Sequence, residues 1–464
     1  EDIYQSILLA PHYQAVYQSL NHIFQVCINE WTNLPGIHFG GTFAKTDYLL
    51  KEYHADMRLR QHVNEARVRL RKHHTLDNEE LESHHLYDAQ ALCQLVTLVT
   101  GATIPPQLKV LLPGERHTKQ ELPLTEYLRV IVDDFDEHFL YVRADCTYTD
   151  IIQVCYTGGK HNVHYPYDWS YIAQYIQKGT QLNIIHPIEK NRVLYPELII
   201  IEPDCLMDIS AIAACFETYG AHPYIHLINK FKPVHASSAI MMGHLAGQLL
   251  DEALYHVHDD IPYKESLTQF FKAHTQQLLT AELAADFHQE AQKQKNNIHK
   301  ALHSTLPQLL KNSKIAFDET EIIVEPSFYS EMLGLQGRMD FLQLDYKVLI
   351  EQKAGKGGWP QHDAETPVQQ QKHYVQLLLY ALLIRYNYKT QYKQNNHELH
   401  SFLLYSKYRN GLIALGFSPE LVFEAIKIRN QLATNELRFA HEGAAILNTL
   451  QADDLNTLHS RGTL

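Results

Sequence analysis

The segment from residue 333 to residue 357, LGLQGRMDFLQLDYKVLIEQKAGKG, constrains the fold more than any other part of this chain of 464 residues. Residues 337–342 and 348–353 are runs of strand-forming residues, and turn residues near Asp345 and Tyr346 separate them. The pattern predicts a β-hairpin.

Three charged residues of this hairpin can share one face. Glu351 and Lys353 are two residues apart, so their side chains lie on the same side of a strand, while Gln352 points away. The partner strand can bring Asp340 beside them. Two carboxylates and an ammonium group suit metal-assisted hydrolysis of a phosphodiester, because carboxylate oxygens are hard ligands for Mg²⁺ or Mn²⁺. The three residues alone are equally consistent with a solvated hairpin.

Polar residues in two apolar helical segments flank the hairpin in sequence. Upstream, His244 lies within residues 237–248, and imidazole is a legitimate further metal ligand, although a lone helical histidine is more often structural. Downstream, residues 376–384 predict a helix with Gln376 and Tyr380 stacked at positions i and i+4. The alternative is a buried helix with two polar residues at its rim.

Taken in order, the histidine, GxxD, ExK and QxxxY patterns resemble those of the RecB-like nucleases of the PD-(D/E)XK superfamily. The resemblance extends over about residues 200–440. Seven consecutive segments look like signatures of the nuclease domain of the replication helicase-nucleases that trim DNA flaps: EPDCLMDISAIAACF (202–216), IMMGHLAGQLL (240–250), LGLQGRMDFL (333–342), EQKAGKG (351–357), QLLLYALL (376–383), LLYS (403–406) and IRNQLA (428–433).

The resemblance implies roles for individual residues. A metal site would use His244, Asp340 and Glu351, with the backbone carbonyl of Gln352 as an extra ligand, and Lys353 would act with the two carboxylates in catalysis. The substrate would be bound by Gln376, Tyr380 and Arg338. The implied cofactor is Mg²⁺ or Mn²⁺.

The resemblance also implies partners and one missing cofactor. The substrate would be DNA, in single-stranded ends or flaps during replication or repair, and a helicase domain would lie in the same longer chain or act in trans. Relatives often carry an iron–sulfur cluster built from one cysteine before the histidine motif and three after the QxxxY helix. Cys215 stands at the first position, but no cysteine follows it, so no cluster is expected.

Changes in residue composition and periodicity along the chain predict three domains and an α/β fold class. Residues 1–115 read as a helical region. Residues 116–204 carry short β-rich runs that suggest a small β-barrel or sandwich, and the resemblance favours the barrel. Residues 205–464 are expected to form a restriction-endonuclease-like core, in which helices flank a mixed sheet.

Charge and composition limit the function classes. The chain has 40 Lys and Arg against 53 Asp and Glu, a net charge of −13, so only a local basic channel can attract DNA. The six cysteines lack CxxC spacing, and no export leader or long apolar run is visible, which favours a cytoplasmic protein without membrane contact. The leading hypothesis is a metal-dependent deoxyribonuclease. The alternative is a nucleic-acid-binding or helicase-tethering module with little nuclease activity.

Overall fold

The computed structural model describes residues 1–35, 39–114, 125–146, 150–217, 220–233, 236–255, 261–312, 315, 317, 321–358, 363–394 and 398–449. The chain divides into two compact units, Glu1–Asp204 and Cys205–Leu464. The finer division into three domains stays a prediction.

The first half of the N-terminal unit is helical. Its helices follow their capping signals: Asp77 accepts a hydrogen bond from Glu80 N at the start of the longest one, and Gly101 ends that helix in a left-handed conformation. Their apolar faces pack into one core. The helices are α1 Asp2–Leu9, α2 Tyr13–Trp31, α3 Thr42–Glu52, α4 Met57–Lys72, α5 Asn78–Thr100 and α6 Pro106–Leu111, with a 3-10 turn at His73–Thr75. A second 3-10 turn, Ser170–Gln174, lies among the strands of the second half.

The second half of this unit forms one seven-stranded sheet. Its strands are β1 Tyr127–Phe135, β2 Phe139–Ala144, β3 Ile152–Cys155, β4 Gln181–Ile185, β5 Ile188–Lys190, β6 Val193–Tyr195 and β7 Leu198–Ile201. The order is β5-β6-β3-β2-β1-β4-β7. Barrel closure requires the two outermost strands to pair, but among the described residues β5 pairs only with β6 and β7 only with β4. The prediction of a small β-barrel is therefore not supported.

The C-terminal unit mixes helices and short sheets. Its helices are α7 Ile209–Ala214, α8 Tyr224–Phe231, α9 Ser238–Tyr255, α10 Tyr263–Ala273, α11 Thr275–Thr280, α12 Phe287–Lys300, α13 Leu306–Asn312, α14 Gln371–Asn387, α15 Lys389–Gln394 and α16 Pro419–Glu442, with a π-helical turn at Ala301–Thr305 and a 3-10 turn at Gly443–Thr449. Its strands are β8 Met207–Asp208, β9 Phe216–Glu217, β10 Gly220–Ala221, β11 Ile322–Val324, β12 Ser327–Ser330, β13 Leu335–Arg338, β14 Phe341–Gln343, β15 Val348–Lys353, β16 His400–Tyr405 and β17 Leu412–Leu415.

A five-stranded mixed sheet of order β11-β14-β15-β16-β17 forms the centre of this unit. β15 is antiparallel to β14 and parallel to β16, and its first five residues are buried, as expected for a central strand. Helix α14 is apolar on most sides and packs as a buried helix. The predicted mixed α/β class is confirmed, and the architecture is consistent with a restriction-endonuclease-like fold.

The predicted hairpin forms, but its first half is divided between two sheets. β14 and β15 pair in the register Phe341 to Ile350, with the turn where it was expected. β13, however, belongs to a separate sheet of order β12-β13-β8. The chain bends between Arg338 and Phe341, so that Asp340 lies at the junction of the two sheets rather than within a strand.

No helix in the described part of the chain combines the length and the apolar character that a bilayer crossing demands.

Candidate active site

The two carboxylates of the hairpin meet at the junction of the sheets. Asp340 Oδ2 accepts a hydrogen bond of 2.6 Å from the backbone N–H of Gln352, which fixes it against β15. Glu351, the next residue toward the N-terminus, is only 2% exposed. Its partner in the parallel ladder is the apolar residue Leu403 of β16.

Two donors converge on the same oxygen of Glu351. Lys353 Nζ lies 2.7 Å from Oε1, and Gln376 Nε2 donates to the same atom at 2.6 Å. The other oxygen, Oε2, is buried and accepts no hydrogen bond from the part of the chain that the structure describes. A buried, unpartnered carboxylate oxygen is costly, so this atom is free for a ligand that the protein itself does not supply.

Helix α14 brings Gln376 and Tyr380 to the carboxylates. The amide of Gln376 lies 3.4 Å from the hydroxyl of Tyr380, as the i, i+4 spacing predicted. The Tyr380 hydroxyl donates to the backbone carbonyl of Arg338 at 2.6 Å and so ties the helix to the strand before Asp340. The Arg338 side chain is 62% exposed and pairs with Glu325 at 3.0 Å.

The glycine of the GxxD pattern makes room for this tyrosine. A methyl group built at Gly337 would lie 2.8 Å from Tyr380 Cε1 and 3.3 Å from Ile209 Cβ. Tyr380 is buried, so its ring cannot swing into solvent. The strand can pass this close to the ring only because Gly337 has no side chain.

Replacing Gly337 by Ala is therefore expected to displace Tyr380, lowering the free energy of unfolding by about 1–3 kcal/mol and slowing any reaction at the site. Urea denaturation and cleavage assays would measure the two effects. Gly416→Ala is the matched control, since a methyl group there would meet no atom of the described residues within 4 Å. Equal stability of the two variants would contradict this account of the glycine.

Burial and mutual repulsion set the protonation of the three charged groups. Burial, and then the nearby charge of Asp340, raise the pKa of Glu351 to about 8. Burial likewise raises the pKa of Asp340. Burial alone would lower the pKa of Lys353, but the charges of Glu351 and Asp340 outweigh it and raise that pKa. Lys353 is therefore an ammonium group at neutral pH.

The donor set fits a hard divalent cation. Carboxylate oxygens are the ligands that Mg²⁺ and Mn²⁺ prefer, and Glu351 Oε2 is an unpartnered buried oxygen next to a second carboxylate. Within the described residues no three His, Cys, Asp or Glu side chains converge tightly enough to be a complete metal cluster. The carboxylate pair thus supplies part of a coordination sphere.

The family model of the PD-(D/E)XK nuclease superfamily matches residues 216–457, just over half of the chain. The chain belongs to this superfamily. No curated protein sequence matches it. Membership of the PD-(D/E)XK superfamily identifies the region around the carboxylate pair as a nuclease domain; the assignment of each predicted site residue remains a prediction.

His244, predicted as a metal ligand of this PD-(D/E)XK site, has a more exposed side chain than the two carboxylates. His244 lies on α9, as expected, but its side chain is exposed and its ring centroid lies 5.3 Å from that of His274. Helix α9 does contact the site strand, because Gln352 Nε2 donates to the carbonyl of Ala246 at 3.0 Å. The role of His244 as a metal ligand stays a prediction.

Sequence reasoning did not single out Asp251, which lies seven residues after His244 on the same helix. Burial, and then the charges of Glu325 and Asp340, raise the pKa of Asp251 to about 6, so its carboxylate is close to theirs. Glu325 itself has a left-handed backbone, with φ of 51°, and its N–H donates to Asp340 O. The spacing of seven residues could have pointed to Asp251, because residues i and i+7 lie on the same face of a helix.

The raised pKa of Glu351 predicts a pH dependence in metal-free protein. The folded-state pKa of about 8 exceeds the ordinary value of 4.5, so the carboxyl stabilises the fold at low pH, and this contribution is lost as pH rises toward about 8. In EDTA, the melting temperature of Glu351→Gln should equal that of wild type at about pH 5. At about pH 8 the variant should have the higher melting temperature. A melting difference that does not change with pH would contradict the assignment.

Proposed function

We propose that this PD-(D/E)XK protein is a Mg²⁺- or Mn²⁺-dependent deoxyribonuclease of the RecB-like branch. Its substrates would be single-stranded DNA ends or flaps in replication or repair, and a helicase in the same longer chain or in trans would work with it. The observation that carries the proposal is the buried, unpartnered oxygen of Glu351 beside Asp340, with Lys353 and Gln376 fixed around it.

Each group of the site has a task that follows from its contacts. Asp340 and Glu351 would hold the cation, which when bound would neutralise phosphate charge and lower the pKa of a water molecule. Lys353 is protonated, so it acts as a cationic donor to the negative charge that develops on the phosphate rather than as a base. Gln376 keeps Glu351 oriented by donating to Oε1. Tyr380 fixes α14 against β13.

Asp251 is the better candidate for the contribution of α9 to the cation. It is half-buried, and the charge of Asp340 reaches it, whereas His244 is exposed. We expect Asp251→Asn to raise the Mn²⁺ concentration at half-maximal cleavage by at least about tenfold. His244→Gln should leave that concentration within about threefold of wild type, since its ring faces His274. If His244→Gln required the higher Mn²⁺ concentration and Asp251→Asn did not, His244 would be the ligand from α9.

The local charge near the site supports a nucleic acid substrate despite the acidic chain. Lys356 is exposed in the loop that follows Lys353, and Lys372 lies in the first turn of α14. The loop is held in place, because Gln370 Nε2 donates to the carbonyl of Lys356 at 2.8 Å. Phosphate contacts of this kind make binding fall steeply with salt.

The test is cleavage of end-labelled DNA with Mg²⁺, Mn²⁺ or EDTA, using single-stranded, flapped and fully duplex substrates. Cleavage of the first two that requires the cation and is lost in Asp340→Asn would support the proposal. This variant keeps the shape of the side chain, removes its charge and replaces one acceptor oxygen by an amide donor. Tight DNA binding without turnover in any cation would favour the binding or helicase-tethering module instead.

A further inference from the structure

His373 lies on the face of α14 that carries the two site residues of that helix. It precedes Gln376 by three positions and Tyr380 by seven, which places the three side chains on one side. Its ring is half-buried, and burial and the charges of Lys353 and Lys372 lower its pKa to about 3. The imidazole is therefore neutral and lies near the positive charges of Lys353 and Lys372, at the edge of the candidate site.

The hydroxyl of Tyr405 fixes how this ring is protonated. Tyr405 is fully buried at the end of β16, opposite Lys353 in the parallel ladder. Its oxygen accepts the backbone N–H of Gln370 at 2.9 Å and lies 2.9 Å from Nδ1 of His373. Burial raises the pKa of the phenol to about 12, so its proton stays on the oxygen. That proton has His373 Nδ1 as its acceptor, because the Gln370 N–H can only donate.

An imidazole that accepts at Nδ1 carries its own proton on Nε2. In the described parts of the chain Nε2 of His373 has no hydrogen-bond partner, since the ring's polar contact is the one to Tyr405. The ring is partly exposed, so a ligand can reach this N–H group. A donor that feels the charges of two ammonium groups suits an anionic oxygen, and a phosphate is the anion that a nucleic acid strand brings to the site.

We propose that His373 donates a hydrogen bond from Nε2 to a non-bridging phosphate oxygen of the bound strand, next to the phosphate that is cut, and that Tyr405 holds the required tautomer. This rests on the proposed nuclease function. Being neutral, the donor holds the phosphate without placing a further positive charge against Lys353. Lys353 thus remains the positive charge that β15 supplies to the reacting phosphate.

Steady-state cleavage of a labelled single-stranded oligonucleotide with Mn²⁺ tests the role of His373. A hydrogen bond to a charged oxygen that is present in both the bound and the transition state raises KM when it is lost and leaves kcat unchanged. We expect His373→Ala to raise KM about ten- to a hundredfold, with kcat within about threefold of wild type. His373→Gln should recover most of the loss, because its amide nitrogen reaches about as far as Nε2. The KM of Tyr405→Phe should lie between those of His373→Gln and His373→Ala.

A change on the substrate side makes the test independent of folding defects. A methylphosphonate at a single linkage replaces one charged phosphate oxygen by a methyl group. For wild type, this substitution should raise KM at one linkage beside the cut. For His373→Ala, the same substitution should have no such effect. Cleavage by wild type together with an unchanged KM in His373→Ala, or equal sensitivity of both proteins at every linkage, would overturn this role. If wild type neither binds nor cleaves the oligonucleotide, the nuclease proposal itself fails.

Discussion

Lys353→Ala is expected to lower kcat for DNA cleavage by about a thousandfold and to leave oligonucleotide binding within about tenfold of wild type. The ammonium group lies 2.7 Å from Glu351 Oε1, and the two carboxylates keep it protonated. Its positive charge is aimed at the position where negative charge develops on the phosphate. Loss of such a donor removes transition-state stabilisation much more than ground-state binding. Single-turnover kinetics with saturating Mn²⁺ would measure it.

Lys393→Ala provides the control for the loss of a lysine. Lys393 is exposed on the short helix α15, away from β15 in sequence. We expect this variant to cleave within about threefold of wild type, since isolated surface substitutions have small effects. If Lys353→Ala cleaved at more than about a tenth of the wild-type rate while Lys393→Ala was normal, Lys353 would not be the catalytic cation.

Local spacing was enough to predict the parts of the site that share one element. Glu351 and Lys353 are two residues apart on β15, and Gln376 and Tyr380 are four apart on α14, so strand and helix periods fix each pair. The turn that returns the chain to β15 was equally local. The mixed α/β class follows from the same periods.

Contacts between distant segments could not be predicted in the same way. The bend that places Asp340 depends on β13 joining a strand from before α7, and no spacing within the hairpin encodes that pairing. Asp251 and Tyr405 meet the site from elements far away in sequence. The prediction of a barrel failed for the same reason. Composition correctly predicted the strands of the seven-stranded sheet, but whether its two edge strands pair depends on contacts between segments that are distant in sequence.

One long-range contact bears on how the C-terminal helices are held in a chain with no cysteine after Cys215. Arg429, within the IRNQLA segment of α16, is fully buried. Its guanidinium donates to the carbonyl of Cys205 at 2.7 Å and to that of Gly334 at 3.2 Å. A single side chain thus joins α16 to the loop before β13 and to the chain before β8.

Arg429→Met is expected to lower the free energy of unfolding of the C-terminal unit by about 3–5 kcal/mol. The substitution keeps the volume of the side-chain stem but removes the charged donor of these two hydrogen bonds and of a third, to Asn430 Oδ1 at 3.2 Å. Hydrogen bonds from a charged donor are worth about 1.5–3 kcal/mol each. Gly334 O would still accept the backbone N–H of Met207, so this carbonyl keeps a hydrogen bond in the variant. Urea denaturation, with hydrogen exchange of α16 amides as the local readout, would measure it.

Arg438→Met is the matched control on the same helix. Arg438 is partly exposed and pairs with Glu442 at 2.9 Å across one helical turn, and such surface pairs contribute about 0–1 kcal/mol. The two variants lose the same charge from α16, so a difference between them reports the burial of Arg429 and its buried hydrogen bonds. If both variants unfolded at the same urea concentration, α16 would be held by other contacts, of which the pair between His226 and Glu436 at 2.6 Å is the next to test.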